Sequence, residues 1–368
     1  MPRRRTTSQE VERGRAEADA TLGQRDREIL KDIIHTFVFS GEPVSSRTLS
    51  KHAQHGLSAA SIRNVMADLE DLGFLRQPHT SAGRVPTESA YRLYVASLMQ
   101  RRALPAKVKR YIDERLGSAS ADGDQLMSAA TQLLSELSNR VGVVLTPAVE
   151  DIVLKSADFV PLGQGRVLCV LVSASGFIDH VVIEAEDEME RRDLVRISNY
   201  VTENFGGRRL RDIRDQLVEA MAADREGVGD WFSRALSMAE MAIRGTVDAT
   251  ADHEVLVKGT SSLLDQPELS DVERIRRMLD TFADKARLVA MLSRCLESGG
   301  GVRVFLGGDS DVTSELDFGL VATPYGNVDG ALGSLGIIGP SRMEYPRMVP
   351  LVRYLGETLS RALEEGAK

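Results

Sequence analysis

The chain has 368 residues, enough for two or three domains, and its 42% hydrophobic content suffices for ordinary globular cores. No apolar run approaches the roughly 18 residues that span a bilayer, and no secretory signal pattern lies near the N-terminus, so we expect a cytoplasmic protein. The net charge is −8, and the two cysteines, Cys169 and Cys295, lie in apolar runs, which argues against a disulfide framework and against a metal or nucleophilic role for either thiol.

Residues 1–20 are rich in charge and poor in apolar side chains, so we expect a disordered N-terminal extension. The run Arg3-Arg4-Arg5 could act as an arm that seeks DNA. A solvated tail is the simpler interpretation of the same composition.

Two helices are predicted before a tight turn. Gln24 to Ser40 has apolar residues at helical spacing, and Gly41-Glu42-Pro43 ends that helix. Ser45 or Ser46 then caps a short helix, and Gly56 turns the chain towards a third.

The third helix has the features of a DNA recognition helix. Ser58 is placed as its N-cap, and one face repeats apolar residues at spacings of three and four. The opposite face carries Ala60, Arg63, Asn64 and Ala67. Small residues allow close approach to the major groove, and Arg and Asn can form bidentate contacts with bases. An ordinary amphipathic helix with a solvated face would share this pattern, so the flanking elements carry much of the argument.

A short ribbon, the wing, is predicted after the third helix. Gly73-Phe74-Leu75 leads into a strand, Pro78 to Gly83 forms a loop, and a second strand ends at Pro86. Arg84, beside a glycine, is placed to reach a phosphate or the minor groove. The predicted DNA-contacting residues are Arg47, Ser58, Ala60, Ser61, Arg63, Asn64, Ala67, Thr80, Ser81 and Arg84.

Charge is distributed unevenly along the chain. Residues 1–110 hold 19 Lys and Arg against 12 Asp and Glu, a net charge of +7, which leaves −15 for the remainder. A basic segment attached to an acidic body is expected when one domain meets phosphates.

Four stretches, Gly41 to Ser50, Leu57 to Gly73, Gln77 to Thr87 and Gly333 to Pro346, closely resemble the bacterial heat-inducible transcription repressor family HrcA. The resemblance covers roughly residues 22–365. It implies a dimeric repressor that binds an inverted-repeat operator upstream of chaperonin operons. It also implies that a GroEL-type chaperonin maintains the activity and that heat shock abolishes it.

The remaining pattern predicts an α+β body. Alternating strands between residues 151 and 185 form an antiparallel hairpin, a helix-rich stretch follows, and more strands and a final helix end the chain. The resemblance implies a GAF-like α/β domain with an inserted helical dimerisation domain. We therefore expect an N-terminal extension (1–20), a winged helix-turn-helix domain (21–104), a GAF-like domain (105–209 and 291–368) and an inserted dimerising domain (210–290).

Three other functions fit the sequence less well. Catalysis is disfavoured because the glycine clusters match no phosphate-binding or nucleophile-elbow pattern, and His52 and His55 have no neighbours that complete a metal site, so no cofactor or metal is expected. A small-molecule-responsive regulator would use the GAF-like domain as its sensor, with Gly307 to Asp309 or Phe318 to Tyr325 lining a pocket. A scaffold filled by its own side chains is the simpler interpretation. An adaptor without DNA would leave the polar face of the third helix unexplained.

Overall fold

The computed structural model describes residues 22–52, 56–79, 82–98, 103–119, 122–185, 189–223, 230–249, 253–263, 276, 284–297, 301–305, 318–327, 330–340 and 342–366. The first three ranges form a winged helix, as predicted. Its elements are α1 (Gln24–Ser40), α2 (Ser46–His52), α3 (Ala59–Asp71), β1 (Leu75–Arg76), β2 (Val85–Pro86) and α4 (Glu88–Leu93), which continues into a π-helical turn, Tyr94–Leu98.

The boundaries of the winged helix follow from local sequence. Ile29, Leu30 and Ile33 recur at helical spacing and are buried in the core of the domain. Gly41 ends α1 in the left-handed conformation (φ +74°), and its N–H donates to the carbonyl of Phe37 at 2.9 Å. The wing strands β1 and β2 pair antiparallel, and Val44 joins them through a bridge to Arg84.

The body contains a five-stranded antiparallel sheet. Its helices and strands are α5 (Ala106–Ala119), α6 (Gly123–Ser138), β3 (Val141–Leu145), β7 (Val255–Lys258), α10 (Lys285–Glu297), β8 (Arg303–Phe305), β9 (Phe318–Asn327), β10 (Gly330–Pro340) and α11 (Tyr345–Gly366). The strand order is β7-β3-β10-β9-β8. Helices cover both faces: α6 and α11 pack on one and α10 on the other, so the sheet lies between two hydrophobic cores.

A second, separate sheet has three antiparallel strands. It comprises β4 (Leu154–Gly163), β5 (Arg166–Ser173) and β6 (Ile178–Glu184), followed by α7 (Arg191–Phe205), α8 (Leu210–Ala223) and α9 (Asp230–Ala249). Helix α7 runs along the edge of β4, where the hydroxyls of Ser198 and Thr202 accept hydrogen bonds from the backbone N–H groups of Phe159 and Ala157. This edge is therefore protected from pairing with another strand.

The predicted hairpin and the helices after it are present, but the pairing of the sheets differs from the expectation. The strands of residues 154–184 form their own sheet and do not join the GAF-like one. In addition, β7 pairs with β3, although residues 255–258 lie inside the predicted insertion of residues 210–290. Local patterning does not specify which distant strands pair, because pairing depends on contacts far apart in sequence. The boundaries at 210 and 290 stay predictions.

Candidate nucleic-acid interface

Helix α3 is fixed at its start by a side-chain cap. The hydroxyl of Ser58 accepts a hydrogen bond from the backbone N–H of Ser61 at 3.1 Å, and the two hydroxyls are also 3.1 Å apart. Its inner face carries Ile62, Met66 and Leu69, which are buried against the rest of the domain. The helix therefore has one defined outward face.

The outward face carries the four residues that the sequence places there. Ala60, Arg63, Asn64 and Ala67 are all exposed on one side of α3. No other element of the described winged helix covers these side chains, so the face is open to a groove. Their role in base recognition stays a prediction.

Helix α2 precedes α3 and presents Arg47. Of the two candidate caps, Ser45 holds the position: its hydroxyl accepts from the N–H of Thr48 at 3.1 Å, whereas Ser46 is buried as the first residue of the helix. Arg47 is exposed. A long exposed cation beside the turn into α3 suits contact with a phosphate.

The base of the wing loop is closely packed. The side-chain amide of Gln77 donates to the carbonyl of Ala82 at 3.1 Å, across the loop. A Cβ atom on Gly83 would overlap the backbone of Val44, so the glycine permits the wing to pair with that segment. Thr80 and Ser81, the predicted contacts at the tip, lie outside the described residues.

Arg84 has a structural partner that the sequence did not reveal. Its Nε lies 2.7 Å from Oε2 of Glu70 on α3, and its side chain is 23% exposed. The ion pair joins the wing to the recognition helix and restricts the reach that the sequence assigned to this arginine. No local pattern links the two residues, because they come together only when the wing folds back towards α3.

The basic excess of the N-terminal third is not centred on the winged helix. Residues 22–98 hold nine Lys and Arg against eight Asp and Glu, and most of the excess comes from Arg101, Arg102, Lys107, Lys109 and Arg110. Lys107 and Arg110 are exposed at the start of α5. Charge alone therefore supports DNA binding less directly than the geometry of α3.

Other candidate sites have structural explanations. Burial raises the pKa of the Cys169 and Cys295 thiols to about 12, as expected for small buried side chains rather than nucleophiles. Most of the strand from Phe318 to Tyr325 is buried between the helices of the body, and Gly307 to Asp309 lie outside the described residues.

Two kinds of site are absent from the described part of the chain. No group of three or more His, Cys, Asp or Glu residues there could hold a metal ion. No helix within the same residues is long and apolar enough to cross a membrane.

The chain is similar over nearly its whole length to proteins named heat-inducible transcription repressor HrcA. The relative from Syntrophobacter fumaroxidans is 36% identical over 344 residues, which cover 94% of this chain and 98% of the relative. The relative from Anaeromyxobacter sp. (strain K) is 38% identical over 93% of this chain and 96% of its own length. The relative from Xanthomonas oryzae pv. oryzae is 38% identical over 95% of this chain and 98% of its own length. Residues 124–349 match the family described as the HrcA protein C terminal domain. A crystal structure of a hypothetical protein, 22% identical, shares the fold with a TM-score of 0.63 over 94% of this chain and 100% of its own.

Proposed function

Because this chain belongs to the HrcA family of heat-inducible transcription repressors, we propose that it binds an inverted-repeat operator as a homodimer. The family is one of transcription repressors rather than enzymes, and the chain is a transcriptional repressor of heat-shock genes. A protein that acts on bacterial operator DNA works in the cytoplasm.

The outward face of α3 is the single observation that best supports DNA reading. We assign base recognition to Arg63 and Asn64, with Ala60 and Ala67 allowing close approach to the groove. The proposed backbone and wing contacts are Arg47, Ser58, Ser61, Thr80, Ser81 and Arg84. Among these, Arg84 can reach DNA only with the part of its guanidinium that Glu70 leaves open.

The homodimer is supported by an open apolar face of the three-stranded sheet. Val160, Ile178 and Val182 are 45%, 60% and 49% exposed, and the register places their side chains on the side opposite the buried core of the sheet. Leu162, 47% exposed, lies at a register irregularity two residues after Val160. The register aligns Val160, Leu168 and Val182 across the three strands. The neighbouring row of the same face contains Asp158, Val170 and His180, so the apolar side chains lie in rows separated by a polar one. Several exposed aliphatic side chains on one sheet face mark an interaction site, and a second copy of the chain would cover them with an identical face. Two-fold symmetry would then match an inverted repeat.

Release on heat shock is proposed to follow from loss of the folded, dimeric state. A change of roughly 1–2 kcal/mol in the free energy of unfolding alters the folded fraction several-fold. Warming could therefore remove active repressor over a narrow temperature range. A GroEL-type chaperonin, the partner implied by the family resemblance, would then return chains to the active state.

Fluorescence anisotropy tests the proposal. The purified protein is titrated against a labelled inverted repeat from upstream of the source organism's chaperonin genes, and against a scrambled duplex, at two salt concentrations and two temperatures. We expect salt-sensitive preference for the repeat, loss of binding on warming, and recovery after cooling with chaperonin and ATP. Equal, weak binding to both duplexes would contradict sequence-specific operator binding.

A further inference from the structure

The loop between β10 and α11 contacts the winged helix across 305 residues of sequence. One guanidinium nitrogen of Arg342, Nη1, donates a hydrogen bond to the backbone carbonyl of Phe37 at 3.2 Å. The carbon of the same guanidinium lies 5.9 Å from the centre of the Phe37 ring. The side chain of Arg342 therefore connects the body to the end of α1.

Arg342 completes the C-terminus of α1. The last carbonyls of a helix have no partner within the helix, and the negative end of its dipole favours a cation there. The last turn of α1, Thr36 to Ser40, contains no Lys or Arg. Arg342 supplies the missing cation from the body, and the Phe37 carbonyl accepts both from it and from the N–H of Gly41.

Gly41 makes this approach possible. A Cβ atom at position 41 would overlap the guanidinium of Arg342. The glycine therefore serves two purposes: it adopts the left-handed conformation that ends α1, and it leaves space for the arginine.

A second contact lies three residues further along the same loop. The ring of Tyr345, at the start of α11, packs 5.8 Å from the ring of Tyr91 on α4, at a tilt of 56°. Both tyrosines are buried. The end of α1 and the middle of α4 are thus both held by the segment of residues 342–345, and two points of attachment fix an orientation better than one.

We propose that Arg342 is a positioning residue for operator binding: by capping α1 from the body, it sets the orientation of the winged helix and hence the separation of the two α3 helices in the dimer. The inference rests on the proposed function. A dimer reads an inverted repeat only when its recognition helices match the spacing of the half-sites. The contacts of Arg342 described above are with Phe37 and Gly41, neither of which is a proposed DNA-contacting residue, so its effect on DNA passes through the orientation of the domain.

The test compares Arg342→Ala with Arg347→Ala in the full-length protein. Arg347 is a matched control because its guanidinium donates to the carbonyl of Leu137 at 2.8 Å, within the body. The probes are the inverted repeat from upstream of the chaperonin genes, the same repeat with its spacer lengthened by about five base pairs, or half a helical turn, and a single half-site.

For Arg342→Ala we expect about tenfold weaker binding to the natural repeat, the loss typical of one charge-assisted hydrogen bond. We also expect less discrimination between the two spacings and unchanged binding to the single half-site. Arg347→Ala should behave as wild type. An Arg342→Ala protein with wild-type spacing preference, or with tighter binding, would overturn the proposal.

Hydrogen exchange separates this inference from the proposed function. In the absence of DNA, Arg342→Ala should raise amide exchange in residues 37–41 and near Tyr91, whereas Arg347→Ala should not. Unchanged exchange would overturn the docking role whatever the DNA results. A wild-type protein without preference for the inverted repeat would overturn operator binding itself, while the exchange data would still decide whether Arg342 holds the winged helix.

Discussion

The winged helix and the three-stranded sheet each have one buried face and one open face, and their open faces have opposite chemistry. On α3, the open side presents Arg63 and Asn64 between small alanines. On the sheet, the open side presents Ile178 and Val182 in the same strand with His180 between them, together with Val160 of β4.

The buried faces do not differ in this way. In both regions they consist of apolar side chains at the period of the element, 3.6 residues for the helix and two for the strands. The difference therefore lies in what each open face can bind. A helix face with Arg and Asn between small residues suits the base edges of a major groove, whereas exposed aliphatic side chains on a sheet suit a second apolar surface.

The largest expected effect comes from placing a charge on the open sheet face. Ile178→Asp should convert the dimer to monomer, because burying unpaired carboxylates at the two-fold interface is costly. Operator affinity should then fall by about 100-fold or more, since the second winged helix is no longer tethered. Light scattering after gel filtration gives the mass, and anisotropy gives the affinity.

Val218→Asp is the matched control. Val218 is 54% exposed, against 60% for Ile178, but it lies on α8 rather than on the sheet. It should leave the dimer intact. A dimeric Ile178→Asp protein would show that the open sheet face is not the dimer interface.

The next effect concerns the open face of α3. Arg63→Ala should weaken binding to each half-site by about 1–3 kcal/mol and relax base preference at one position, because a bidentate contact to a base edge is lost. Binding to all single-base variants of the repeat measures both changes. Arg25→Ala, an exposed arginine on α1, should change neither. Unaltered specificity in Arg63→Ala would mean that α3 meets the groove in another orientation.

The two regions also differ in how far their sequences predict them. The winged helix is specified locally: Ser58 caps α3, Gly41 ends α1, and apolar spacing assigns the buried face of each helix. These signals operate within a few residues, so the exposed face of α3 could be derived without the structure.

Contacts between distant segments were not predictable in the same way. The alternation of β4, β5 and β6 predicts strands, but it does not determine that they form a sheet of their own while β3 pairs with β7 and β10. The ion pair of Glu70 with Arg84, and the hydrogen bond from Arg342 to Phe37, likewise depend on the folded chain. The sequence therefore predicts the exposed face of α3, but it does not predict the contacts of Arg84 and Arg342 that hold the wing and the winged helix in place.

Smaller effects are expected at Arg47 and Arg84, and they distinguish a phosphate contact from an ion pair that stabilises the wing. Arg47→Ala should reduce the slope of log affinity against log salt by about one, because one phosphate contact is lost, with stability unchanged. Arg84→Ala should also lower the free energy of unfolding by about 1 kcal/mol, because Glu70 loses its partner in a largely covered pair.

A double-mutant cycle with Glu70→Ala measures the coupling of the pair. Thermal and urea unfolding give the stability, and anisotropy at several salt concentrations gives the slope. If Arg84→Ala changed only the slope, Arg84 would act as a phosphate contact and the ion pair would contribute nothing measurable.

The smallest effect is expected on the side of the winged helix that faces the body. The hydroxyl of Tyr91 is buried and has no hydrogen-bond partner among the described residues, whereas that of Tyr325, in the core of the body, donates to the carbonyl of Leu145 at 2.8 Å. Tyr325→Phe should cost about 1 kcal/mol of stability, and Tyr91→Phe should be neutral or stabilising by less than about 1 kcal/mol, because it removes a polar group that forms no bond.

The pH dependence of Tyr91→Phe provides an independent check. Burial raises the pKa of the Tyr91 phenol, so the folded state favours the neutral form. The contribution of the neutral Tyr91 phenol to the free energy of unfolding is fully present below the unfolded-state pKa of about 10. It is lost as the pH rises above that value, because the unfolded chain then loses the proton first. Tyr91→Phe should therefore lose less stability than wild type between neutral pH and about pH 11 in urea unfolding. An equal loss of stability in Tyr91→Phe and Tyr325→Phe at neutral pH would contradict this expectation. It would mean that the Tyr91 hydroxyl forms a hydrogen bond comparable to that of Tyr325.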